Sequence, residues 1–199
     1  MKDKFTNIQL DALKEVSNIG AGNGATSLSM MLGKKIDMTV PAVNIVKMDD
    51  LINSAGEKEV IGILVKVLGD IKGSILIEFE KDKAMQIANK LLGNNDMTEL
   101  NSMSTSALCE IGNIVSASYM NSIAKFTGLE ISPSVPELAD DMSSSILSIV
   151  FVESGQYDDY ILDIETIFLD ENNNNLGAHF YYVPEPGSLE KILKTIGIN

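Results

Sequence analysis

The sequence predicts an α/β (α+β) fold: a single pseudo-twofold domain over residues 1–199, made of two helix–strands–helix units with a mixed or antiparallel sheet and flanking helices. Three observations predict it. Residues 11–41 lie on residues 106–136 without a gap, and ten positions are identical where chance gives roughly two. "KGSILIEFEKDKAMQIANKLLG", from Lys72, lies on "LGAHFYYVPEPGSLEKILKTIG", from Leu176, at an offset of 104 where the first match has 95. Within each unit the apolar spacing switches from helical to alternating and back. The repeats span approximately 7–93 and 102–197.

The elements follow in chain order. Thr6 and Gln9 form a capping-box pattern ahead of apolar residues at Leu10, Leu13, Val16 or Ile19, Ala25, Leu28 and Leu32, and Gly33 supplies the stop. A short strand over about 35–40 ends at Pro41. "EVIGILVKVL" and "KGSILIEFE" read as strands, and "KDKAMQIANKLLG" as a helix with a glycine stop. The second unit reads as a helix over about 103–127 ending at Gly128, then strands near 129–135, 146–153, 160–169 and 177–183. "SLEKILKTIG" closes the chain as an amphipathic helix whose Leu189, Ile192, Leu193 and Ile196 read as core, with partner docking as the alternative. "GNNDMTELNS" and "DENNNN" read as loops.

Composition narrows the function. Net charge is −13, and every one of the fifteen basic residues is lysine, so no guanidinium fork is available for phosphate or guanine edges. Nucleic acid and anionic membrane are therefore poor partners. No apolar run approaches the roughly 20 residues that span a bilayer, and no secretory signal is visible. One cysteine, Cys109, excludes an internal disulfide and fits a reducing, cytoplasmic setting. It has no His or Arg beside it in the sequence and reads as a buried or half-buried residue, not a nucleophile. The lone His179 sits in a strand pattern, and the Asp pairs at 49–50, 140–141 and 158–159 read as solvated turns and not metal sites.

"EVSNIGAGNGATSLS" (15–29) carries glycines at 20, 22 and 24 that resemble a phosphate loop. The repeat argues otherwise, because their counterparts are Val115, Ala117 and Tyr119, and a cradle tolerates neither a β-branched nor an aromatic side chain at such positions. Close approach of this helix to a neighbour is the better reading. Glu15 and Asn18 behave differently: they recur as Glu110 and Asn113, at a spacing that puts both side chains on one helix face. Asn is a mediocre helix former, so propensity does not explain it twice.

The pattern [DS]-x3-E-x2-N-x22-P occurs as Asp11, Glu15, Asn18, Pro41 and again as Ser106, Glu110, Asn113, Pro136. It resembles the motif of the CheC/CheX/FliY phosphatases of bacterial chemotaxis, and two copies with nothing appended most resemble the stand-alone two-site members. The resemblance covers the full chain. It implies hydrolysis of the aspartyl phosphate of a phosphorylated CheY-type receiver. Asn18 and Asn113 would orient the attacking water, and Glu15 and Glu110 would dock on a receiver lysine. Asp11 and Ser106 would support the helix face, and Pro41 and Pro136 would fix a strand end or turn. It also implies no cofactor of the chain's own, with Mg²⁺ supplied by the receiver. CheD is the implied activating partner, and flagellar switch proteins are further partners. The alternatives are a non-catalytic switch-type interaction module similar to FliM and a scaffold that sequesters CheD.

Overall fold

The computed structural model describes residues 6–93, 99–155, 160–169, 175 and 178–197. The tracts 94–98 and 170–174, and the Asp158–Asp159 pair, lie outside them. The elements run α1 (Asn7–Leu32), β1 (Asp37–Lys47), α2 (Met48–Ala55), β2 (Glu59–Gly69), β3 (Gly73–Glu80), α3 (Lys81–Leu92), α4 (Ser102–Thr127), β4 (Ile131–Pro133), β5 (Glu137–Met142), α5 (Ser143–Ser154), β6 (Tyr160–Leu169), β7 (Ala178–Pro184) and α6 (Ser188–Thr195).

Both long helices are capped as their sequences require. Thr6 and Gln9 close the capping box of α1, the Gln9 amide donating to the Thr6 hydroxyl at 3.3 Å. Asn101 accepts from the amides of Met103 and Ser104 at the start of α4. Gly33 and Gly128 end the two helices at φ 61° and 73°, a left-handed turn that glycine adopts without strain.

The strands form one seven-stranded sheet in the order β1-β6-β7-β3-β2-β4, with β5 also on β2, and all these pairs are antiparallel. β1 belongs to the first repeat but pairs with β6 of the second, while β4 and β5 of the second pair with β2 of the first. The halves are thus interlaced through the sheet. α1, α3, α4 and α6 cover one face over a large core, and α2 with α5 cover the other over a smaller one. Leu189, Ile192 and Leu193 of α6 are buried in the larger core and Ile196 packs against it, so the apolar stripe of the last helix is core and not a docking face.

Three expectations need correction. Residues 146–153 are not a strand but most of α5: Ile146, Leu147 and Val150 point into the smaller core, a helical spacing that the β-branched content of the run conceals. The α2 helix, which the sequence reading left unassigned, is the counterpart of α5 in the first repeat. The second alignment is also displaced by one residue in the strands. Ile77 and Phe79 face the larger core as Phe180 and Tyr182 do, whereas the sequence alignment matches Leu76 to Phe180, residues on opposite faces. Finally, Asp49 and Asp50 lie in the first turn of α2 and Asp140 and Asp141 within β5, so neither pair is a turn.

The glycines of α1 serve packing. A Cβ on Gly20 would come within 2.7 Å of Tyr119 Cδ2, so this glycine lets α1 close on α4 around the buried Tyr119 ring. The Tyr119 hydroxyl pairs with Ser17, its ring lies 4.8 Å from that of Phe180, and burial holds its ionisation well above the usual phenol range. Gly20→Ala is expected to lower unfolding free energy by about 1–2 kcal/mol, since overpacking outweighs a helix-propensity gain of about 1 kcal/mol. Gly22 has nothing within 4 Å of such a Cβ, so Gly22→Ala is expected to raise stability by about 0.5–1 kcal/mol. Thermal midpoints of the two variants, moving in opposite directions, check this pair.

Candidate functional site

The two motif stripes occupy corresponding stretches of α1 and α4. Asp11, Glu15, Ser106 and Glu110 are exposed, and Asn18 and Asn113 are half-buried. Neither Glu15 nor Glu110 makes an ion pair or hydrogen bond with the described residues, so both carboxylates face solvent. Ser106 donates its hydroxyl to the Ser102 carbonyl one turn back, at 2.8 Å. Cys109, beside Glu110, is half-buried, and burial pushes its thiol up, which disfavours a thiolate nucleophile. His179 is exposed on β7 with its ring stacked against Tyr181, on the sheet face opposite α1 and α4. Among the described residues no group of three or more His, Cys, Asp and Glu is placed to hold a metal ion.

The long interval between Asn18 and Pro41 has a structural cause. Pro41 does not end a strand: β1 runs through it to Lys47. Its missing amide is accommodated by a bulge on this edge strand, where Val40 and Pro41 together face Thr166 between the Thr39–Ile167 and Ala42–Glu165 pairs. The bulge takes Val40 out of the β6 ladder, and Asn18 replaces the lost partner. Its Oδ1 accepts from the Val40 amide at 2.9 Å, and its Nδ2 donates to the Val40 carbonyl at 3.1 Å and to the Lys14 carbonyl at 3.2 Å. Asn18 therefore clamps α1 to β1, a carboxamide mimicking a backbone partner for groups that burial would otherwise orphan.

The second repeat keeps the same residues and handles them differently. At Pro136 the strand breaks into β4 and β5, with Pro136 in the gap between them. Val40 is 2 % exposed, but its counterpart Val135 is 84 % exposed. Ser134 holds this segment out: its amide donates to the Lys66 carbonyl, its hydroxyl accepts from the Lys66 amide at 2.9 Å, and the same hydroxyl donates to the Val135 carbonyl at 3.0 Å. The Asn113 carboxamide makes no hydrogen bond with the described residues. Sequence reasoning found both asparagines but missed Ser134 and the Val–Pro step. For the Val–Pro step the signal was present, because Val40 and Val135 are among the ten identities.

A family model described as the CheC-like family matches residues 8–45 and 103–139, which enclose both motifs and both Val–Pro steps. The CheY-P phosphatase CheC of Bacillus subtilis (strain 168) is 35% identical, over 95% of this chain and 94% of that protein. The chain belongs to the CheC-like family. Its fold is that of FliY from Thermotoga maritima, with a TM-score of 0.81, 23% identity and 98% of each chain covered. The CheX chain of a CheX–CheY–BeF₃–Mg²⁺ complex from Borrelia burgdorferi also shares it, with a TM-score of 0.54 and 16% identity over 83% of this chain and 96% of that one. No described helix is long and apolar enough to cross a membrane.

Proposed function

We propose that this CheC-like protein is a phosphatase that hydrolyses the aspartyl phosphate of a phosphorylated CheY-type receiver domain in the cytoplasm. One observation carries the reading: an exposed glutamate and an asparagine with unused hydrogen-bonding capacity, Glu110 and Asn113, share one accessible helix face, and their side chains bond to none of the described residues. A purely structural or assembly module has no use for a half-buried carboxamide left open. An acyl phosphate is already a reactive electrophile, so the enzyme needs neither nucleophile nor metal of its own. Asn113 accepts a hydrogen bond from a water and holds its oxygen in line with phosphorus. The water oxygen bonds to phosphorus as the P–O bond to the aspartate breaks, releasing a free carboxylate and orthophosphate, which carries away the water's protons. Mg²⁺ stays with the receiver. Glu15 and Glu110 dock the helices by pairing with a receiver lysine, and Asp11 and Ser106 extend the docking face.

The name of the Bacillus relative, a CheY-P phosphatase, supports the substrate class. CheD is the proposed activating partner, with flagellar switch proteins as a second class of contact. The test is the decay of radiolabelled phosphate from a Mg²⁺-loaded CheY-type receiver with and without the chain, each with and without CheD. Acceleration is expected. Receiver phosphate that decays at its own rate beside folded protein, even with CheD present, would sink the reading.

A further inference from the structure

We infer that the two motifs divide their labour: Asn113 positions the water, Asn18 is mainly a clamp of the fold, and Ser134 keeps the second site open. The inference rests on the phosphatase reading and deepens it. Four hydrogen-bonding positions exist on a carboxamide, two N–H and two lone pairs. Asn18 spends both N–H groups on Lys14 and Val40 carbonyls and one lone pair on the Val40 amide. One lone pair remains, and the group cannot rotate towards a water without breaking its bonds to a buried strand. Asn113 spends none of its four positions on the described residues.

The cause of the difference is local. Both repeats carry a Val–Pro step that a strand cannot pair, and both therefore leave a valine amide and carbonyl in need of partners. In the first repeat the asparagine supplies them. In the second, the Ser134 hydroxyl takes the Val135 carbonyl and bonds to the Lys66 amide, while Val135 is turned out to solvent and makes no hydrogen bond to Asn113 among the described residues. The residue corresponding to Ser134 is Thr39, whose backbone stays in register with Ile167 of β6. Ser134 is thus a positioning residue, acting on the reaction only through the freedom of Asn113.

The experiment uses the full chain and has two arms. In the first, kcat and KM for phosphoryl-receiver hydrolysis are compared for wild type, Asn18→Ala, Asn113→Ala, Ser134→Ala and Ser134→Thr. Asn113→Ala is expected to lower kcat about tenfold more than Asn18→Ala does. Ser134→Ala is expected to lower kcat several-fold at unchanged KM, and Ser134→Thr, which keeps the hydroxyl, to restore it. In the second arm, hydrogen exchange of the side-chain NH₂ groups is read by NMR without substrate. Asn18 should be protected and Asn113 should exchange as in solvent, with Asn113 gaining protection in Ser134→Ala. Equal kcat losses from the two asparagines, or equal protection of the two amides, would overturn the inference. The comparison of Asn18 with Asn113 in the second arm needs only wild-type protein, so it decides the clamp even if Asn18→Ala does not fold. A wild-type chain that accelerates nothing overturns the phosphatase reading instead, and the exchange data then judge the clamp by themselves.

Discussion

Removing both carboxamides, Asn18→Ala with Asn113→Ala, is expected to lower kcat by roughly a hundredfold with KM within about twofold of wild type. Removing both carboxylates, Glu15→Ala with Glu110→Ala, is expected to do the opposite: KM rises by about tenfold while kcat at saturation falls little. The two outcomes follow from where each group acts. A water held in line is a feature of the transition state, so its loss appears in kcat. A carboxylate that pairs with a lysine on the partner contributes equally before and during the reaction, so its loss appears in KM. An exposed ion pair is worth at most about 1 kcal/mol, but one partly desolvated at an interface is worth more, which is why tenfold is the expected scale. Salt supplies an independent readout. KM of the wild type should rise with ionic strength, and that dependence should weaken in the double glutamate variant. Activity lost through kcat in both double variants would contradict the separate roles. Because Asn18 also clamps β1, circular dichroism at the assay temperature must first show that the asparagine variant is folded.

Much of this architecture was legible because the chain carries two versions of it. Comparing Gly20, Gly22 and Gly24 with Val115, Ala117 and Tyr119 argues against a nucleotide loop from the sequence, and the packing of Gly20 on Tyr119 gives that glycine another reason. The capping residues, the two glycine stops and the apolar stripes marked α1, α3, α4 and α6 within a residue or two. What failed were statements that depend on three-dimensional partners. Ile146, Leu147, Val150 and the exposed Ile149 and Val152 make a run that is apolar on every side, so local pattern could not separate a surface helix from a buried strand. Pro41 read as a strand end because nothing local says that β1 is an edge strand, where a proline can be absorbed in a bulge. The same ignorance hid the clamp: the motif's fixed interval from Asn18 to Pro41 was visible, but its meaning depends on the Val40 amide and carbonyl being left over by that bulge. Ser134 carried no signal at all. Its part is played against Lys66 of the other repeat, through a strand exchange that a linear comparison does not reveal.

Glu78→Gln is expected to change the sign of a stability difference across neutral pH. Glu78 lies in β3 beneath the start of α5, on the sheet face covered by the smaller core, and is 3 % exposed. The Ser143 hydroxyl donates to its Oε2 at 2.7 Å, while its buried Oε1 has no partner among the described residues. The same core is otherwise lined by apolar side chains such as Leu76, Ile146 and Leu147. Burial pushes the carboxyl up from 4.5 to about 7, against a smaller opposing effect of the Ser143 bond. The folded chain therefore holds this proton more tightly than the unfolded chain does. Its contribution to stability is fully present below about pH 4.5 and is lost as pH rises through 7, a change of the order of 3 kcal/mol. Above that point the fold carries a buried, half-satisfied negative charge. Gln copies the neutral acid and cannot ionise, but one of its amide N–H groups takes the place of the unpartnered Oε1, which removes part of the gain. Glu78→Gln is expected to be up to about 1 kcal/mol less stable than wild type at pH 5 and about 1–2 kcal/mol more stable at pH 8. For a chain of this size that corresponds to a Tm several degrees higher at pH 8. The crossing of the two stability profiles is the decisive feature. A net charge of −13 makes every variant respond to pH through general self-repulsion, and only the difference between wild type and Glu78→Gln isolates this one carboxyl. Profiles that stay parallel from pH 5 to 8 would mean that Glu78 titrates in its ordinary range and that water reaches it beneath α5.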